Sequence, residues 1–185
     1  GQAFRWNREP DGWYIGVVGN EFFRLRQVDD GLVVSTPVSD GGIQSVIDYF
    51  RLDTDHDALE KEISSIDEHV ARAVQFGKGL RLVRQPLWEC IVSFIISARN
   101  AVPLIKRSIE LICRRFGDEH IREGHTFYSF PEPEVLAEAD LQDIRDCKVA
   151  YRADYIKRTA RLVVSSEVSL HKLPELSTAD AREQL

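Results

Sequence analysis

The sequence predicts an α+β protein, in which a small antiparallel β domain precedes an all-helical domain. Short segments rich in aromatic and β-branched residues, separated by tight turns, fill residues 1–39. From about residue 43 the apolar residues instead recur at the period of a helix. We place the domain boundary between residues 53 and 54, so the β domain covers 1–53 and the helical domain covers 54–185.

The β domain is predicted to be a meander of four short strands. Proline, glycine, asparagine and aspartate cluster at residues 9–12, 19–20 and 29–31, and such clusters indicate tight turns. The segments between them carry Trp, Tyr, Phe, Val and Ile, which favour strands. We expect one face of this sheet to pack on a helical layer.

The helical domain is predicted from capping residues and apolar spacing. Asp55 or Asp57 is expected to cap its first helix, since acidic residues there suit the helix dipole. The segment 87–95, which includes Phe94, is apolar nearly all round and predicts the central core helix. Pro103 begins a helix with a basic outer face.

A further amphipathic helix is predicted from Tyr151 onward, with Tyr155 turned inward and Arg152 outward. Ser177 and Asp180 have the spacing of a short capping box, so another helix is expected to begin there. The chain contains no methionine and stops about two turns after that cap. We therefore expect it to be a piece of a longer protein.

Composition and charge narrow the class of protein. No apolar run reaches the roughly 18 residues of a membrane span, and the three cysteines favour reduced thiols in an intracellular protein. The net charge is 24 − 30 = −6, yet residues 78–122 hold nine basic and four acidic residues, and residues 145–172 hold seven and three. Such blocks suit a local nucleic-acid surface, although solvated helix faces explain them equally well.

No hydrolase, kinase or dinucleotide motif is present, and the five histidines lack metal-ligand spacing, so we predict no metal and no cofactor. Two corners between helices stand out instead. The first, at residues 97–101, could present Arg99 and Asn100 outward, with a plain capped turn as the alternative. The second, at residues 148–152, places Tyr151 beside Arg152, a pair that suits base stacking and contact with a base edge or phosphate. A core tyrosine with a solvent-exposed arginine is the alternative there.

Five stretches carry a resemblance that extends over nearly the whole chain. They are GQAFRW at 1–6, YFRLD at 49–53, GLRLVRQPLWECIVSFIISARNAVP at 79–103, RRFG at 114–117 and YRADYIKRTARLV at 151–163. With this order and spacing, the chain resembles the 8-oxoguanine DNA glycosylase family of base excision repair. The resemblance implies an all-α DNA glycosylase domain that is truncated before a helix-hairpin-helix.

The resemblance also implies a mechanism and a partner. The partner is double-stranded DNA containing oxidised guanine, which is flipped out of the helix into a pocket. A lysine then forms a Schiff base with the sugar, which gives glycosylase and AP lyase activity. That lysine is expected beyond Leu185, so no catalytic residue is assigned in this chain, and we expect the fragment alone to be inactive. We also expect a monomer without a membrane partner.

Four positions match family residues that support recognition of the lesion. Gly1 matches a glycine whose carbonyl reads the damaged base, and Phe94 matches an aromatic near the base pocket. Tyr151 matches the wedge that inserts beside the orphaned base. Arg152 matches an arginine that contacts the estranged cytosine.

Two positions depart from the family pattern. Arg99 stands where the family has an asparagine that fills the gap left by the flipped base, and only Asn100 keeps the asparagine pattern. Leu104 stands at the position of a second cytosine-reading arginine. Because leucine cannot make bidentate contacts, we expect a weaker preference for cytosine opposite the lesion.

Two other functions stay open on the sequence. One is a glycosylase of the same superfamily that removes alkylated bases. The other is a non-catalytic module that binds duplex DNA through the β domain and the basic helices. A hairpin motif with lysine in the sequence that follows would favour an enzyme over such a module.

Overall fold

The computed structural model describes residues 2–29, 31–35, 42–122 and 124–184. Their internal contacts form two compact units. The first comprises the described residues within 3–36 and 86–185, and the second comprises Gln2 with those within 37–85. The domain boundary that we place between residues 53 and 54 stays a prediction.

A four-stranded antiparallel meander opens the first unit, as the turn signals predict. Its strands are β1 (Trp6–Arg8), β2 (Tyr14–Val18), β3 (Glu21–Val28) and β4 (Gly31–Val34). Gly16 pairs with Trp6 across β1 and β2. A Cβ atom at Gly16 would lie 2.3 Å from the Trp6 ring, so the indole can cover the strand only because glycine stands there.

The second unit holds three short helices, α1 (Gly42–Phe50), α2 (His56–Ser64) and α3 (Glu68–Phe76). The predicted cap is confirmed, because the Asp55 carboxylate accepts a hydrogen bond from the amide of Ala58 at 3.0 Å. The Gln2 side chain is tied to the segment after α3, donating to the carbonyl of Arg81 at 2.7 Å and accepting from the amide of Val83 at 3.1 Å.

The helices of the first unit surround its core. They are α4 (Leu87–Ser97), α5 (Val102–Phe116), α6 (Pro133–Glu138), α7 (Leu141–Ile144), α8 (Arg152–Val164) and α9 (Thr178–Gln184), with a π-type turn at Arg145–Val149 before α8. The core consists of aliphatic side chains from these elements, among them Val92, Ile96, Ile109, Ile112, Leu136, Ile144, Val149, Ile156 and Ala160. Lys106 of α5 ties the sheet to this layer, because its ammonium donates to the carbonyl of Trp6 at 2.6 Å.

The sequence places α4 correctly but does not show which of its faces is buried. Phe94 is 78% exposed, whereas Val92 and Ile96 are fully buried. The buried stripe of α4 therefore runs through Trp88, Val92 and Ile96, which are four residues apart. A helix that is apolar on every side carries no periodicity from which its inner face could be read.

In α8 the predicted inward and outward side chains are wrong at the first turns. Tyr155 is exposed and Arg152 is buried, the reverse of the prediction. The core side of α8 is made by the small or aliphatic residues Ala153, Ile156 and Ala160.

A β-hairpin, which is not among the predicted elements, follows α5. Its strands are β5 (Glu119–Arg122) and β6 (His125–Tyr128), with Gly124 at φ +78° in the turn. Phe127 of β6 is buried, and its ring stacks on Phe22 of the meander at 5.4 Å. A glycine between two stretches of alternating polarity is the signal that could have found it.

The remaining predictions concern capping, thiols and the membrane. Ser177 begins α9, since the amide of Asp180 donates to its hydroxyl at 3.2 Å. All three cysteines are free; Cys113 and Cys147 are buried, and burial raises the pKa of their thiols to about 12 and about 11. No helix among the described residues is long and apolar enough to cross a membrane.

Candidate nucleic-acid interface

The first corner, residues 97–101, joins α4 to α5 and is closed by the side chain of Asn100. Its amide nitrogen donates to the carbonyl of Ile96 at 3.1 Å, and its amide oxygen accepts from the backbone of Ala101 at 2.9 Å. Asn100 is thus turned back onto the backbone as a cap. Arg99 is exposed at φ 50°, and its guanidinium has no hydrogen-bond or ion-pair partner among the described residues.

The second corner, residues 148–152, joins the π-type turn to α8. Lys148 and Ala150 have φ values of 64° and 55°, so the backbone doubles back sharply before the helix begins. Ser108 of α5 donates its hydroxyl to the carbonyl of Lys148 at 3.1 Å. Tyr151 directly precedes α8, and 56% of its surface is exposed. Its ring packs edge-on against the ring of the exposed Tyr155, with 6.3 Å between the ring centres.

Arg152 connects the two corners. Its Nε donates to the carbonyl of Ala98 at 3.2 Å, and its Nη atoms donate to the carbonyls of Ala98, Arg99 and Val149, the last two at 3.5 Å. The guanidinium also lies 4.7 Å from the centre of the Tyr151 ring. With only 8% of the residue exposed, this arginine is a buried bridge and not the solvent-facing side chain expected from the spacing.

Large apolar side chains lie in solvent near the first corner. Phe94 on the last turn of α4 and Leu104 on the first turn of α5 are both exposed, Leu104 by 55%. Together with the free Arg99 and the ring of Tyr151, the corners offer exposed rings and cations that can stack on bases and bind phosphates. Gly1, which the resemblance assigns to the base pocket, lies outside the described residues.

A buried acid lies in the core, away from these corners. Glu89 of α4 pairs with Arg5 at 3.4 Å, and Arg5 also donates to the carbonyl of Tyr128. Burial raises the pKa of the Glu89 carboxyl, and the charge of Arg5 partly opposes that rise. Since both side chains are paired inside the protein, this ion pair offers no free acid for chemistry. No group of three or more His, Cys, Asp or Glu side chains among the described residues could hold a metal ion.

Two family profiles match adjoining parts of the chain, which together cover residues 1–184. Residues 1–91 match the N-terminal domain of 8-oxoguanine DNA glycosylase, and residues 92–184 match the HhH-GPD superfamily of base excision DNA repair proteins. The junction between the profiles falls inside α4, so each corner lies within the second profile.

Solved structures and curated proteins point the same way. A structure of MBOgg1 in complex with a low-affinity DNA ligand has a TM-score of 0.92 and 36% identity, covering 100% of this chain and 63% of that one. The 8-oxoguanine glycosylase/lyase of Clostridium acetobutylicum, bound to double-stranded DNA with cytosine opposite 8-oxoguanine, has a TM-score of 0.92 and 31% identity with the same coverage. An N-glycosylase/DNA lyase of Saccharomyces cerevisiae is 31% identical over 90% of this chain and 48% of its own length.

The chain thus spans about half the length of that curated relative and 63% of the solved chains. The matches are continuous, and the described fold has the antiparallel sheet and helical layer of the solved neighbours. The chain belongs to the 8-oxoguanine DNA glycosylase family, within the HhH-GPD superfamily of base excision DNA repair proteins.

Proposed function

We propose that this chain is the β and central helical part of a glycosylase/AP lyase that excises 8-oxoguanine from duplex DNA. The observation that carries the proposal is the match of residues 1–184 to the two adjoining profiles, the first of which is the N-terminal domain of 8-oxoguanine DNA glycosylase. That first profile is also the reason to prefer oxidised guanine over alkylated bases as the substrate.

The two corners are proposed to be the part of this chain that holds the distorted duplex. A flipped nucleotide leaves a gap and an unpaired partner base, and both must be stabilised for the base to stay outside the helix. Tyr151 would insert its exposed ring beside the unpaired base, where stacking contributes about 1–3 kcal/mol. Arg99 would fill the gap, because its guanidinium is exposed and has no partner in the part of the chain that the structure describes.

Phe94 and Leu104 are proposed to border the same region. Phe94 offers an exposed apolar surface for the extruded base, in keeping with the aromatic that the resemblance places near the pocket. Leu104 would face the estranged base without hydrogen bonding to it, so preference for cytosine there would be weak. No lysine of this chain is assigned as the Schiff-base nucleophile.

Duplex binding by single variants tests this proposal. Tyr151→Ala and Arg99→Ala are each expected to weaken binding to a duplex with 8-oxoguanine opposite cytosine by about tenfold in fluorescence anisotropy, since each removes one stacking or gap-filling contact. Tyr14→Ala and Arg122→Ala are matched controls, because these residues are exposed on the meander and on β5. Equal losses in the controls, or no loss in the corner variants, would refute the assignment.

Enzymatic function needs a separate experiment on the full-length protein. Borohydride reduction in the presence of the lesion duplex should trap a covalent protein–DNA adduct, since a Schiff base between lysine and sugar is reducible. Specific binding without any adduct, strand scission or release of the base would identify a non-catalytic DNA-binding protein instead. We also propose that the protein acts inside the cell as a monomer, for which a sedimentation measurement at micromolar concentration is the check.

A further inference from the structure

Three of the five non-glycine residues with positive φ in the described part of the chain lie at the two corners. Arg99, Lys148 and Ala150 have φ values of 50°, 64° and 55°, a region that side-chain-bearing residues seldom occupy. Such residues persist only where the surroundings hold them in place. Ala150 is the most demanding, since its ψ of −131° takes it to a conformation that favours glycine.

At the corners, each of these three residues has a neighbouring carbonyl group, or its own, that accepts a hydrogen bond from a buried side chain. Arg152 holds the carbonyls of Ala98 and Arg99 in the first corner and of Val149 in the second. Ser108, which is buried, holds the carbonyl of Lys148. Two side chains thus hold both carbonyls beside Arg99 and at least one carbonyl beside each of Lys148 and Ala150.

The chemistry of arginine suits this task better than that of any other cation. Its planar guanidinium carries five donors in a rigid fork, so one side chain can satisfy carbonyls on two separate segments. A lysine ammonium has three donors around one atom and cannot reproduce the fork. In this chain the carbonyls compensate a cation that would otherwise be buried without partners.

We propose that Arg152 is a positioning residue, which clamps the two corners together and so fixes Arg99 and Tyr151 before DNA binds, with Ser108 as a second support of the second corner. In this role Arg152 acts through Arg99 and Tyr151, and it need not touch the estranged base. The inference rests on the proposed function only for its DNA readout, because the clamp itself is a property of the free protein.

The clamp and direct base reading differ in what they predict for binding. A residue that reads cytosine affects only duplexes in which cytosine stands opposite the lesion. A clamp affects the placement of the neighbouring side chains, so its loss weakens binding to the same degree whichever base stands opposite. The ratio of affinities between opposite cytosine and opposite adenine therefore separates the two roles.

Amide hydrogen exchange tests the clamp without DNA. In Arg152→Lys, peptides covering residues 97–101 and 148–152 are expected to exchange about tenfold faster, both together, while peptides from the middle of α5 are unchanged. In Ser108→Ala only the second corner should exchange faster. Arg158→Lys, at an exposed position of the same helix, is the matched control and should leave both corners unchanged.

The DNA arm uses the full-length protein and duplexes with 8-oxoguanine opposite cytosine or adenine. Arg152→Lys should weaken both complexes by a similar factor and leave their ratio unchanged, and Ser108→Ala should do the same to a smaller degree. Unchanged exchange at the corners, or a loss confined to opposite cytosine, overturns the clamp. If the wild-type protein fails to prefer the lesion duplex, the proposed function fails, and the exchange result still decides whether the clamp exists.

Discussion

Replacing Arg5 by methionine should destabilise the protein strongly, because it leaves the Glu89 carboxylate buried without its partner. The two side chains are only 6% and 10% exposed and lie 3.4 Å apart. Methionine keeps most of the aliphatic volume of arginine, so the substitution removes the charge and the hydrogen bonds with little change in packing. The carbonyl of Tyr128 loses its donor as well.

The magnitude follows from the burial of the pair. Removing one partner of a buried ion pair costs about 3–5 kcal/mol, and the 3.4 Å separation of this pair favours the lower end. Against a typical total stability of about 5–15 kcal/mol, the free energy of unfolding would fall by a large fraction. Replacing both residues, as in Arg5→Met with Glu89→Leu, should restore much of that loss, because no uncompensated charge then remains in the core.

The loss should also depend on pH in a defined direction. Burial already raises the pKa of Glu89, and without the opposing charge of Arg5 that pKa rises further. A carboxyl whose pKa is higher in the folded than in the unfolded state takes up a proton on folding. The buried Glu89 carboxyl therefore costs stability once the pH rises above the ordinary pKa of a glutamate. The loss of stability in Arg5→Met is thus largest at neutral pH and becomes smaller in mild acid.

Urea unfolding followed by circular dichroism at pH 7.5 and 5.5 measures both effects. The expected result is a deficit of about 3 kcal/mol at the higher pH, a smaller one at the lower pH, and partial recovery in the double variant. A deficit below about 1 kcal/mol, or one that grows in acid, would refute the assignment of Arg5 as the partner that compensates the buried Glu89 carboxylate.

Three further substitutions have defined outcomes. Leu104→Arg in the full-length protein should raise the preference for cytosine opposite the lesion by about tenfold, measured by competition between duplexes, because a bidentate contact discriminates by about 1–3 kcal/mol. Ala150→Gly should raise the free energy of unfolding by about 1 kcal/mol in urea titrations, since glycine takes the positive φ without strain. Gly117→Ala should lower it by about 1–3 kcal/mol in the same assay, because the added Cβ would lie 2.0 Å from the carbonyl oxygen of Ser129. No change at any of the three sites would contradict the corresponding contact.

The sequence predicts elements whose signals are local. The turns of the meander, the Asp55 cap and the Ser177 cap all depend on a few neighbouring residues, and each is confirmed. The inner face of α4 could not be predicted, because an apolar helix has no polar side to mark the outside. The packing on Trp88, Val92 and Ile96 is decided by the helices around it.

The two corners of the candidate site could be predicted from the sequence, but the hydrogen bonds by which Arg152 joins them could not. Tyr151 is exposed, as its setting beside an arginine allowed, and Asn100 adopts the alternative of a plain cap. The burial of Arg152 has no local signal, since its acceptors at Ala98 and Arg99 lie more than fifty residues away in sequence. Only the fold brings a guanidinium to those carbonyls.

The role of the two corners is tested most directly by measuring the loss of base stacking in a lesion duplex when the full-length protein binds it. A 2-aminopurine placed beside 8-oxoguanine brightens when its stacking is broken, so its fluorescence reports base flipping and wedge insertion. We expect a rise with the wild-type protein and with the control variant Tyr14→Ala, and loss of that rise with Tyr151→Ala. A rise that persists in Tyr151→Ala, or no rise with the wild-type protein, would contradict the central claim that these corners hold the flipped state.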